Sequence, residues 1–64
     1  MILSSNQKQS LDAGEAISLY LSHRRKVIAG GQLRMDGVKL DVLYVESGYS
    51  SLTRLRHVRV RKAV

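Results

Sequence analysis

The sequence reads as one α+β domain, an N-terminal amphipathic helix packed on a three-stranded antiparallel sheet. Three observations carry this. Apolar residues recur at helical spacing from Ala13 to Ile28 and stop at Gly30-Gly31, Asp36-Gly37 lies between two alternating runs, and alternation resumes from Leu52 to Val60. The alternative on the same residues is a small β-barrel.

At about 100° per residue, Ala13, Ala16, Ile17, Tyr20, Leu21, Val27 and Ile28 fall on one side of a helix. Asp12, Glu15, Ser18, Ser22, Arg25 and Lys26 fall on the other, and Leu19 and Arg24 are misfits. Ser10 or Asp12 can cap the start, His23 to Lys26 suit the negative end of the dipole, and Gly30 can take the left-handed closing position. A second period runs through the same stretch. Ile17, Leu19 and Leu21 alternate with Ser18, Tyr20 and Ser22, as in a half-buried strand, so residues 16–22 admit either element.

Asp-Gly between alternating runs is the strongest short-range hairpin signal, because a two-residue turn needs positive φ at both positions. This register pairs Met35 with Val38 and Leu33 with Leu40. It puts Leu33, Met35, Val38, Leu40, Val42 and Tyr44 on the core face, with Gln32, Arg34, Lys39 and Asp41 outward. Leu43 and Val45 interrupt the outward polarity, so the far end of the strand is expected to be covered as well. Glu46-Ser47-Gly48-Tyr49 reads as a turn, and Leu52, Val58 and Val60 then share a face opposed by His57, Arg59 and Arg61.

A chain of 64 residues is a single small domain, with residues 1–9 and 62–64 as its flexible ends. At this size only about 60% of the unfolded chain's surface is buried on folding, so a homo-oligomer or protein partner would add stability. There is no cysteine, and His23 and His57 lie too far apart in sequence to suggest a zinc pair, so no metal or other cofactor is expected. No run approaches the roughly 18 apolar residues of a membrane span. Met1-Ile2-Leu3 is too short for the apolar core of a signal peptide, and a cytoplasmic location without membrane association is the expectation.

Eleven Lys and Arg against five Asp and Glu give a net charge of +6 and a pI of about 10.4, which favours phosphate-rich partners. Residues 50–64 hold Arg54, Arg56, Arg59, Arg61 and Lys62 and no acid, and Arg is the better residue for bidentate phosphate contacts. Arg24, Arg25 and Lys26 form a second basic group beside Gln32, Arg34 and Lys39 of the hairpin, and His57 is a candidate for stacking or hydrogen bonding to RNA. Tyr20 and Tyr44 fall on core faces, which leaves Tyr49 as the base-stacking candidate. No nucleophile motif, phosphate loop or metal triad is present, so no catalytic residue is assigned. The expectation is a non-enzymatic RNA-binding module, with DNA as the other nucleic acid and a protein-interaction module as the rival class.

The stretch Val27-Ile28-Ala29-Gly30-Gly31-Gln32-Leu33-Arg34-Met35-Asp36-Gly37 resembles the helix-to-hairpin signature of the alpha-L RNA-binding module, with Leu40 at the next apolar strand position. That resemblance implies binding of structured RNA, with Arg25, Lys26, Gln32 and Arg34 as contacts. If residues 16–22 form a strand, Ile17-Ser18-Leu19-Tyr20-Leu21, Gly31-Gln32-Leu33, Asp36 and Arg56-His57-Val58 are similar to a small Sm-like, SH3-like barrel of the Hfq type. It too implies an RNA ligand.

Overall fold

The computed structural model describes residues 3–22, 24–46 and 54–64, and all that follows concerns these. The order is α1 (Ser5–Asp12), β1 (Ile17–Ser22), β2 (Gln32–Met35), β3 (Val38–Val45) and β4 (Leu55–Lys62). The four strands form one curled antiparallel sheet in the order β1-β4-β3-β2, with β1 and β2 at its two open edges. The domain is α+β as expected. It has four strands rather than three, and its helix lies upstream of the stretch with helical spacing.

Local chemistry explains where the helix sits. The Ser4 hydroxyl accepts from the Gln7 backbone N–H at 3.1 Å, and the Gln7 side chain accepts from the Ser4 N–H at 2.9 Å, a reciprocal capping box. At the other end Gly14, at φ 81°, donates to Leu11 O at 3.0 Å while Glu15 N donates to Ser10 O at 2.9 Å. This pair of bonds is a Schellman closure, and it ends the helix before Ile17. Freed from the helix, residues 17–22 pair antiparallel with β4, Leu19 opposite Val58 and Tyr20 opposite His57. The period of two therefore governs here. Leu19 and Leu21 are buried, and Tyr20, expected on a core face, is 56% exposed.

The hairpin forms in the expected register, with Met35 opposite Val38 and Leu33 opposite Leu40. Asp36 and Gly37 have φ of 52° and 77°, as a two-residue turn of this kind demands. Gly30-Gly31 does not end a helix. Gly31 N donates to Ile28 O at 3.0 Å to close a tight turn, and Gly30, at φ 85°, donates to Val42 O at 2.8 Å while Val42 N donates to Gly31 O at 2.9 Å. Two residues thus oppose one, a bulge that opens with a left-handed glycine.

A second irregularity changes a face. Val42 pairs with Val60 but Tyr44 pairs with Arg59, so Leu43 is the extra residue of a bulge in β3. Beyond it the alternation inverts. Val45, opposite Val58, packs against the core, whereas Tyr44, expected inside, is 53% exposed. Leu43 itself is 42% exposed rather than fully covered.

The core lies on the inner face of the sheet beneath α1, and consists of Leu3, Leu11, Leu19, Leu21, Met35, Leu40, Val42, Val58 and Val60. Two ion pairs fasten the helix over it, Lys8 Nζ to Asp36 Oδ2 at 2.8 Å and Lys62 Nζ to Asp12 Oδ1 at 2.9 Å. No helix among the described residues is long and apolar enough to cross a membrane. The expected turn at residues 47–49, Leu52 and His23 lie outside the described residues.

Candidate nucleic-acid interface

Strand alternation assigns each basic side chain to a side of the sheet. In β4, Val58 and Val60 face inward, so His57, Arg59 and Arg61 face outward, while Arg56 and Lys62 have the inner parity. In the hairpin Arg34 and Lys39 face outward and lie opposite each other. Register then assembles the outer face. Arg61 is opposite Asp41, Asp41 opposite Gln32, and Arg59 lies between Ser18 of β1 and Tyr44 of β3. Four cations, Arg34, Lys39, Arg59 and Arg61, share this face with the carboxylates of Asp41 and Glu46.

One acid there is partly occupied, since Gln32 Nε2 donates to Asp41 Oδ1 at 2.8 Å. Gln32 is directly opposite Asp41 in the hairpin. Arg24, Arg25 and Lys26 are exposed in the loop between β1 and β2 rather than at a helix end. Arg25 Nη2 donates to the Arg34 carbonyl at 3.4 Å, which brings this loop against the β2 edge. Lys62 is set apart by its ion pair with Asp12 of the helix, and Arg54 precedes β4 with φ 54°.

Sequence reasoning missed the aromatic part of this face. Tyr20, His57 and Tyr44 lie on β1, β4 and β3, Tyr20 directly opposite His57 and Tyr44 one row along, opposite Arg59, with ring centroids 5.4 Å apart for Tyr20 and His57 and 6.5 Å apart for Tyr44 and His57. The first pair is tilted by 32° and the second is edge-on at 62°. One available signal for Tyr20 was the strand period; for Tyr44 it was the break in alternation at Leu43. Tyr49, the stacking candidate from sequence, lies outside the described residues.

A short polar chain surrounds the middle ring. Arg59 Nη1 donates to Ser18 Oγ at 3.1 Å, Ser18 Oγ lies 2.9 Å from His57 Nε2, and His57 Nδ1 lies 3.7 Å from Glu46 Oε2. Serine, histidine and glutamate in series have the order of a nucleophile, its base and an orienting acid. Acyl transfer also needs a water-excluding pocket and donors aimed at an oxyanion, whereas this chain lies on the outer face of a sheet between exposed tyrosines. Its evident effect is to fix His57 and Arg59 in place. No group of three or more metal-ligating side chains occurs among the described residues.

No family model matches this sequence, and comparisons with curated proteins and with solved structures find no match.

Proposed function

We propose that this chain is a small non-enzymatic nucleic-acid-binding protein that holds RNA against the outer face of its sheet. The observation carrying the reading is the convergence of Arg34, Lys39, Arg59 and Arg61, from three strands, on the side opposite the core. A net charge of +6 supplies long-range attraction to a polyanion, and the loop cations Arg24, Arg25 and Lys26 extend the basic surface past the β2 edge. The outer-face guanidiniums of Arg59 and Arg61 suit bidentate phosphate contacts. Gln32, beside Asp41, is an uncharged polar group on this face with donor and acceptor atoms suited to a base edge.

The test is the salt dependence of RNA binding. Replacing Arg34, Lys39, Arg59 and Arg61 with Gln flattens the log–log slope by roughly 0.7 to 0.9 for each phosphate no longer neutralised. Lys62→Gln, on the helix side and paired with Asp12, leaves the slope unchanged. Equal slopes for the parent and the folded quadruple variant reject the reading, and tighter binding to duplex DNA than to RNA redirects it to DNA.

A second reading as a protein-interaction module rests on β1. This six-residue strand, Ile17-Ser18-Leu19-Tyr20-Leu21-Ser22, carries no charge and, among the described residues, is hydrogen-bonded to one neighbouring strand, the arrangement that accepts an added strand. It gains weight if the purified protein binds no nucleic acid at low salt.

A further inference from the structure

The outer face holds two chemistries side by side. Arg34, Lys39 and Arg61 lie toward the hairpin end, Tyr20 and His57 lie toward the opposite end of β4, and Arg59 and Tyr44 share the row between. Both tyrosines are more than half exposed although each is flanked along its strand by apolar residues, Leu19 and Leu21 for one, Leu43 and Val45 for the other. The bulge at Leu43 is what turns Tyr44 outward, and without it this ring would enter the core. Two exposed tyrosines flanking a half-buried histidine on three adjacent strands, bordered by cations, suit flat apolar groups joined by phosphates. Duplexes do not offer such groups, because their bases are stacked and paired inside and an A-form helix presents a major groove too deep and narrow for side chains to read.

We propose that the ligand of this face is an unpaired strand, with bases stacked on Tyr20 and Tyr44 and the backbone running over Arg59 and Arg61. This rests on the reading of the outer face as the nucleic-acid surface and adds to it the state of the nucleic acid. The two tyrosine rings, each next to His57, lie no more than about 12 Å apart. His57, hydrogen-bonded to Ser18, neighbours both rings and belongs to the same stacking surface. Arg59 stands in the adjacent row between Ser18 and Tyr44, within the same sheet neighbourhood as the Tyr44 ring, and this sets a phosphate contact beside a stacking contact. Stacking on a ring face is tolerant of base identity, because every base has one.

The experiment is fluorescence anisotropy of the full chain with a labelled ten-nucleotide unstructured RNA and with the same strand annealed to its complement, both at one fixed salt concentration and across a salt series. The parent binds the single strand more tightly than the duplex. Tyr20→Leu and Tyr44→Leu each weaken single-strand binding by about fivefold to a hundredfold, the span of one stacking interaction, and leave the salt slope as in the parent. Tyr20→Phe and Tyr44→Phe, which keep the ring, retain affinity, and a thermal melt of each variant separates impaired stacking from impaired folding. Duplex bound as tightly as single strand, together with Leu variants at parental affinity, overturns the inference. If the Arg and Lys variants still flatten the salt slope in that case, the outer face remains the binding surface and stacking alone is rejected. Failure of both sets rejects the surface itself.

Discussion

Leu19 and Tyr20 are neighbours in sequence, and the two periodicities that run through residues 16–22 assign them opposite fates. On a helix Tyr20 faces the core and Leu19 does not; on β1 the reverse holds, with Leu19 2% exposed and Tyr20 56% exposed. Leu19→Ala removes a buried side chain opposite Val58 in the ladder and costs about 2 to 5 kcal/mol, the range for Leu to Ala in a core that collapses only partly. Tyr20→Ala removes the cross-strand pairing with His57, worth about 1 kcal/mol or less. A domain of this length has a total stability of about 3 to 10 kcal/mol, so the first substitution removes much or all of it and the second leaves a folded protein. Urea denaturation followed by circular dichroism measures both. With a slope near 1 kcal/mol per molar, about the lower end for small proteins, Leu19→Ala moves the midpoint down by about 2 M or more and Tyr20→Ala by about 1 M or less. A Tyr20→Ala cost equal to or above that of Leu19→Ala refutes the strand assignment and, with it, the aromatic strip.

Other expected outcomes follow from local geometry. Gly37→Val lowers the thermal midpoint, since a β-branched residue resists the φ of 77° that the hairpin turn holds there, and an unchanged melt places the turn elsewhere. Ser4→Ala removes the hydroxyl that accepts from Gln7 N and destabilises by about 0.5 to 2 kcal/mol, seen as a lower urea midpoint with reduced helical signal. Lys8→Ala breaks the ion pair to Asp36, whose side chains are partly exposed, and changes stability by no more than about 1 kcal/mol in the same assay.

The parts of this fold legible from sequence are those set by neighbours in the chain. The hairpin was readable because Asp36-Gly37 states its own turn and the turn states the register of Leu33, Met35, Val38 and Leu40. Strand β4 was readable from its alternation. Residues 16–22 were not, because apolar positions at 17, 19 and 21 overlap with a helical set at 13, 16, 17, 20 and 21, and the choice between them comes from pairing with β4 about forty residues away. The helix had a local signature in Ser4, Gln7 and Gly14, outweighed by the longer helical pattern downstream. Tyr44 depended on a bulge that forms only when β3 meets β4. For the site, the basic residues were evident as charges, yet their grouping was not. Arg59 and Arg61 join Arg34 and Lys39 through strand register, whereas Lys62 is drawn to Asp12, fifty residues earlier, on the other side of the sheet.

The central claim, that the outer sheet face is the nucleic-acid surface, is tested most directly by a nitrogen–proton correlation NMR titration of the labelled protein with the unstructured ten-nucleotide RNA. The account predicts the largest shift changes at Ser18, Tyr20, Arg34, Lys39, Tyr44, His57, Arg59 and Arg61, with α1 from Ser5 to Asp12 and the inward-facing Leu19, Leu40 and Val60 changing least. Changes concentrated on α1, or no saturable change at low salt, would contradict it.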